Sequence, residues 1–147
     1  MNQSIDERLA AAREIVREAG ALARCHFHNL ASLTVEAKGH QDPVSEADRA
    51  VERLIVERIR ARFPQDTVLG EEYGGRPGRA VWVIDPIDGT ANFLRGLPFF
   101  CVSIAFVEDG VIRVGVIFDP VRDELFSARE GGGACCNDRP IRVSRVG

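Results

Sequence analysis

The chain has no apolar run long enough to cross a bilayer: its longest, Phe99 to Val107, is broken by Ser103. It has no basic excess either, and a net charge of −3 offers no electrostatic footprint for nucleic acid. The start, Met1-Asn2-Gln3-Ser4-Ile5-Asp6, is polar and acidic, unlike a signal peptide. Four cysteines, Cys25, Cys101, Cys135 and Cys136, form neither C-x-x-C pairs nor a disulfide framework. In Cys25-His26-Phe27-His28 the two imidazoles are two residues apart and face away from one another on a helix. That segment therefore reads as a buried or half-buried thiol with two surface histidines, not as a soft-metal site. Repeats and low-complexity tracts are absent. These absences point to a cytoplasmic protein without membrane or nucleic-acid partners. The 147 residues, 45% hydrophobic and 28% charged, suffice for one domain with a real core.

Apolar residues recur at Leu9, Ala12, Val16, Ala19, Ala23 and Phe27, which predicts a first helix from about Asp6 to His28. Leu33 to Ala37 alternates like a short strand, and Lys38 to Pro43 is a polar loop. Ser45 with Asp48 resembles a helix-opening cap. Behind it Ala47, Val51, Leu54, Ile55, Ile59 and Phe63 mark a second helix that ends before Pro64. Thr67 to Gly70 reads as a strand delivering Glu71 and Glu72, followed by a glycine-rich loop, Tyr73 to Arg79, that could act as a lid. Ala80 to Ile84 reads as a buried strand. Phe99–Val107 and Val111–Phe118, joined through Glu108-Asp109-Gly110, form a hairpin. Short strands follow at Glu124–Ala128, Gly133–Cys136 and Ile141–Val143. Adjacent Cys135 and Cys136 then point to opposite faces. The fold class is α+β: two amino-terminal helices packed on a mostly antiparallel sheet.

The chemistry concentrates in Asp85-Pro86-Ile87-Asp88-Gly89-Thr90. Pro86 lacks a backbone donor and is expected to lead the chain out of the sheet, leaving both acids at the strand's mouth. Clustered carboxylate and carbonyl oxygens suit a hard divalent cation such as Mg2+. Gly89 permits close approach of the backbone, and Thr90 adds a hydroxyl where amides open a helical turn. A surface turn uses the same residue types. Glu71 ends a neighbouring strand, so three carboxylates meet if the strands are adjacent. A pair of divalent cations would relieve their repulsion and serve in-line displacement at phosphorus. Asp48 could orient the Thr90 hydroxyl or simply favour the helix dipole. Lys38 could reach a phosphate or be solvated.

In order and spacing, Lys38…Asp42-Pro43-Val44-Ser45-Glu46-Ala47-Asp48, then Gly70-Glu71-Glu72, then Trp82-Val83-Ile84-Asp85-Pro86-Ile87-Asp88-Gly89-Thr90-Ala91-Asn92-Phe93, resemble the inositol monophosphatase family of Mg2+-dependent, lithium-sensitive phosphatases. The resemblance implies the first half of an α-β-α-β-α sandwich and a direct attack of metal-activated water on a small phosphorylated polyol. It implies that Glu71, Asp85 and the carbonyl of Ile87 hold one Mg2+, that Asp85 and Asp88 hold a second, and that Glu71 touches a loosely bound third; Mn2+ is a substitute. Thr90 with Asp48, assisted by Glu71, would take the water's proton. The amides of Gly89 and Thr90 would grip the phosphate, with Lys38 and Glu72 auxiliary. Homodimers are implied as well. Inositol monophosphate is the leading substrate; histidinol phosphate, fructose bisphosphate and nucleotide 3′-phosphates are alternatives, as is a non-catalytic metal- or partner-binding module. The family's second-half Trp-Asp motif has no counterpart, because Trp82 is the single tryptophan and precedes Val83. Residues 1–147 accordingly read as an amino-terminal metal-binding domain with low turnover of its own. The face meeting the second half is expected to be apolar.

Overall fold

The computed structural model describes residues 2–33, 43–70 and 78–147. Two long helices, α1 (Asn2–Leu33) and α2 (Pro43–Arg62), precede β1 (Thr67–Leu69) and β2 (Ala80–Asp88). A short α3 (Thr90–Leu94) leads to β3 (Cys101–Glu108), β4 (Val111–Asp119), β5 (Glu124–Arg129), β6 (Ala134–Cys136) and β7 (Arg139–Ile141). The seven strands form one sheet in chain order; β1 runs parallel to β2, and every later neighbour is antiparallel. The α+β expectation of helices on a mostly antiparallel sheet holds.

α1 is longer than its central stripe predicts, because Ile5 packs against the core and Leu30 is buried, extending the apolar face by a turn at each end. Leu33 closes this helix instead of opening a strand, and residues 34–37 lie outside the described residues. α2 opens at Pro43, ahead of the expected Ser45–Asp48 cap. Proline's fixed φ suits a first helical turn, where its missing N–H is not needed. Cys25 is exposed, contrary to expectation. It lies two residues past buried Ala23, which rotates it to the far side of the helix.

Alternation along the strands builds the core. Val102, Ile104 and Phe106 of β3 face the helices, as do Val114, Val116 and Phe118 of β4. Full burial of each such aromatic or aliphatic side chain stabilises by about 1.5–3 kcal/mol. Trp82 is fully buried among Phe63 and Phe106, and its indole Nε1 donates to Asp66 Oδ2 at 2.9 Å. Asp66 also accepts two hydrogen bonds from Arg8, at 2.9 and 3.0 Å, and the guanidinium lies over the Phe63 and Phe106 rings. A charge pair is thus sunk between α1 and the sheet with its donors and acceptors engaged.

The opposite face of the sheet has no helix on it among the described residues. Val83, Ile117, Phe126 and Ile141 are exposed there, beside half-buried Ala105, Ala128 and Ala134. The sheet thus presents an exposed apolar face among the described residues.

Hairpin turns follow residue chemistry. Asp109 and Gly110, with φ of 51° and 78°, make the two-residue β3–β4 turn. Asn137 and Asp138, at 48° and 67°, do the same between β6 and β7. β7 therefore starts at Arg139, two residues earlier than expected. It accommodates Pro140 because it is an edge strand, paired only with β6.

Candidate metal and phosphate site

β2 does not stop at Pro86, as its missing donor suggests, but continues to Asp88 through an irregularity. Asp85 pairs with Ser103 and Asp88 with Cys101, so three steps along β2 match two along β3. The extra residue is a bulge, the usual way for a strand to absorb a proline and re-aim the next side chain. Pro86 and Ile87 are buried, whereas Asp85 is half-buried and Asp88 exposed at the edge.

Gly89 follows with φ 95° and ψ 40° and caps α3, whose first residue is exposed Thr90. A Cβ at Gly89 would stand 2.7 Å from the Phe99 carbonyl oxygen and 3.3 Å from Phe100 Cα. Glycine is therefore needed for both the left-handed turn and the close passage of β3's leading segment. Asn92 secures that passage: its Nδ2 donates to the Phe99 carbonyl at 3.0 Å, and the Leu97 N–H donates to the Asn92 carbonyl at 2.9 Å. Phe93 is buried beneath the turn against Phe27 and Phe100.

The sheet edge is acidic. Burial, then the charges of Asp88, Asp85 and Asp119, push the half-buried Cys101 thiol up to about 11. One thiol thus senses carboxylates from β2 and β4 together. Asp119 has its own work: its Oδ1 accepts the Val121 and Arg122 N–H groups at 3.0 Å, and its Oδ2 accepts Arg122 Nη1 at 2.9 Å. Arg122 Nη1 also reaches the Pro98 carbonyl at 3.4 Å, with its guanidinium 4.6 Å from the Phe99 ring centroid. A cavity of about 450 Å3 opens here, lined by Asp88, Gly89, Asn92, Phe99, Asp119 and Arg122 among others.

The structure thus brings Asp85, Ile87, Asp88, Gly89 and Thr90 together at one edge. Asp48 lies half-buried on α2, which packs against α3 and so against the helix that Thr90 begins. Lys38, Glu71 and Glu72 lie outside the described residues. The parallel register Leu69↔Val83 directs the end of β1 toward the edge where Asp85 and Asp88 emerge. Gly70 at that end is itself constrained: a Cβ there would stand 1.9 Å from Glu52 Oε1, a buried carboxylate of α2. Among the described residues no three His, Cys, Asp or Glu side chains form a metal-holding group. Asp85 and Asp88 with the Ile87 carbonyl are a hard-oxygen set that fits Mg2+ or Mn2+ as a partial shell.

Sequence reasoning gave no role to Asn92, Asp119, Arg122 or Glu52. Asp119-Pro120-Val121-Arg122 carries a signal, an Asp-Pro turn after a strand with Arg three residues on. Asn92 stands inside the quoted motif without an assigned role and Glu52 carries no signal, because their roles depend on the Phe99 carbonyl and on Gly70.

A mixed sheet with helices on one face thus ends in an acidic bulge, a left-handed glycine and a helical turn. The family model described as "Inositol monophosphatase family" matches residues 4–147, and the chain belongs to that family. It is 48% identical over 130 residues to Nus factor SuhB of Xylella fastidiosa, covering 87% of this chain and 47% of that protein. It is 42% identical over 138 residues to the fructose-1,6-bisphosphatase/inositol-1-monophosphatase of Thermotoga maritima, covering 94% and 54%. The solved inositol monophosphatase of Anabaena (Nostoc) superposes with a TM-score of 0.83 at 38% identity, over 97% of this chain and 52% of that one. The chain therefore spans about half the length of the relatives it matches. Among the described residues no helix is long and apolar enough to cross a membrane.

Proposed function

We propose that this chain carries the metal-binding half of a divalent-metal-dependent phosphomonoesterase acting on small phosphorylated polyols. Inositol monophosphate is the leading substrate; histidinol phosphate, fructose bisphosphate and nucleotide 3′-phosphates are the alternatives. The observation that supports this most is the β2 bulge, which sets Asp85 and Asp88 at one edge directly before a left-handed glycine and the first amides of α3. Asp85, Asp88, the Ile87 carbonyl and Glu71 are the residues to hold Mg2+ or Mn2+. When bound, the ions supply a water of lowered pKa and offset charge on the transferring phosphoryl group.

The chain's own groups do the rest. The Gly89 and Thr90 amides bind phosphate oxygens, as N–H groups opening a helical turn can. The Thr90 hydroxyl, paired with Asp48 and assisted by Glu71, receives the proton of the attacking water. Lys38 and Glu72 assist from the periphery. The resemblance carries sensitivity to lithium, homodimer formation and a cytoplasmic location into the proposal. A partner-binding role without catalysis is the second reading, favoured by the open apolar sheet face and by a relative that bears the name of a Nus factor.

Asp88→Asn separates the two. For the enzyme, calorimetric titration with Mn2+ should show at least a tenfold loss of affinity, and phosphate release should fall with it. Metal binding that is unchanged in this variant would refute the assignment. In the wild type the Asp85/Ile87 site should bind more tightly than the Asp85/Asp88 site, so two equally tight sites would contradict this division of ligands.

A further inference from the structure

The chain that follows Asp88 makes a loop fastened at both ends. At its base Asp88 pairs with Cys101 across the β2–β3 ladder. At its far end Asn92 holds the returning chain twice: its Nδ2 donates to the Phe99 carbonyl at 3.0 Å, and its own carbonyl accepts the Leu97 N–H at 2.9 Å. Between these ties lies α3, only five residues long. So short a helix has little stability of its own, because its few hydrogen bonds do not offset the cost of the first turn. Its N-cap is Gly89, which has no side chain to accept an N–H group. The turn is therefore placed by contacts from outside it. Phe93, buried against Phe27 and Phe100, supplies the apolar contact, and Asn92 supplies the polar one.

The acceptor that Asn92 chooses matters. The Phe99 carbonyl oxygen is the atom that stands 2.7 Å from where a Gly89 Cβ would be. One amide thus fixes the distance between the turn and the segment leading into β3. Pro98, next in the chain, is held from its own carbonyl by Arg122 Nη1 at 3.4 Å. Arg122, its charge met by Asp119 at 2.9 Å, serves here as a strut. Asp88 is exposed, so its aim is set by the backbone on either side of it more than by packing.

We propose that Asn92 is a positioning residue for the metal site: by tying the Phe99 carbonyl to α3, it sets the direction in which the Asp88 carboxylate leaves the β2 bulge. The inference rests on the phosphatase reading above and deepens it with a residue that acts through the backbone, touching neither metal nor substrate. The bulge puts Asp88 at the sheet edge, and Asn92 keeps it aimed.

The test is calorimetric titration of the full chain with Mn2+, each variant held below its own melting temperature as read by circular dichroism. Asn92→Leu keeps the shape of the side chain without the donor and should weaken Mn2+ binding about tenfold, the lower end for loss of a group that orients a ligand. Asn92→Gln, which keeps an amide donor on a longer stem, should recover part of that affinity. Asp66→Ala breaks bonds at Trp82, away from the bulge, and should leave Mn2+ affinity within about twofold of wild type although it lowers stability. If the leucine variant does not fold, Asn92→Ser takes its place with the same expected loss, since its hydroxyl is one bond too short to reach Phe99. Wild-type affinity in the leucine or serine variant overturns the inference. So does a glutamine variant no better than leucine, or a loss in Asp66→Ala as large as that in Asn92→Leu, which would mark a purely structural effect. If Asp88→Asn loses Mn2+ while Asn92→Leu retains it, the phosphatase reading stands and the role of Asn92 falls. Failure of wild type to bind Mn2+ overturns both.

Discussion

Gly89→Ala tests the turn on which the site is built. The glycine sits at φ 95°, where an L-residue is strained, and an added methyl would stand 2.7 Å from the Phe99 carbonyl oxygen. The obstacle is backbone on both counts, since the next nearest atom is Phe100 Cα at 3.3 Å, so no flexible side chain can swing aside. Left-handed geometry costs an L-residue about 1–2 kcal/mol, and forcing packed atoms apart costs a further 1–3 or so, which together give roughly 2–5 kcal/mol. For a chain of this size that corresponds to a fall in melting temperature of roughly 5–15 °C. Thermal unfolding followed by circular dichroism reads it directly, with Mn2+ affinity measured on the same sample. Metal affinity should fall too, because the chain relieves the clash by moving the turn that follows Asp88. Gly115→Ala is the control: nothing lies within 4 Å of the added methyl, and stability should stay within about 0.5 kcal/mol of wild type. A Gly89→Ala protein that loses less than about 1 kcal/mol and binds metal normally would show that the close approach of β3 is not a constraint on the site.

Other perturbations have equally definite outcomes. Asp66→Ala leaves Arg8 and the Trp82 indole without their shared acceptor, and denaturant unfolding should show a loss of about 3–5 kcal/mol, the scale for breaking a buried pair; a loss under 1 kcal/mol or so would mean the pair is dispensable. With maleimide at neutral pH, exposed Cys25 should label before Cys101, as read by peptide mass spectrometry; equal rates would contradict the burial and negative surroundings of Cys101. Folding holds the Cys101 thiol protonated, above its ordinary value of 9.0 and up to about 11. Its contribution to stability is therefore complete below pH 9 and lost as pH rises toward 11, and Cys101→Ala should flatten that part of the stability profile. Asn137→Gly keeps the left-handed turn but removes the bonds to the Leu125 N–H and the Asp123 carbonyl, and should cost about 1–2 kcal/mol in the same unfolding assay.

Much of the fold was legible because periodicity and turn chemistry are local. The stripe through Ala12, Val16, Ala19 and Ala23 announces α1, and Asp109-Gly110 announces a tight hairpin. The misjudged points were those decided by distant partners. Pro86 argues locally for a strand end, yet pairing of Asp88 with Cys101 keeps β2 in the sheet past it. Cys25 reads locally as a buried or half-buried thiol, but the phase of the helix, set by buried Ala23 and Leu30, turns it outward. At the site, acidic residue types and their spacing marked Asp85 and Asp88, since hard-cation chemistry restricts the choice of side chain. Arg122 escaped notice, and Asn92 had a place in the motif but no role, because nothing in their neighbours reveals that each is fastened to the segment Pro98–Phe99.

The surplus residue in β2 is in effect an indexing device. Successive side chains of a strand alternate sides, so two acids three positions apart would ordinarily emerge on opposite surfaces. One unmatched step between Asp85 and Asp88 cancels that alternation. The arrangement is consequently encoded in chain length more than in the identity of any one amino acid. Lengthening the facing stretch of β3 by a single codon would remove the mismatch and turn Asp88 toward the wrong surface, even with every acidic side chain still present.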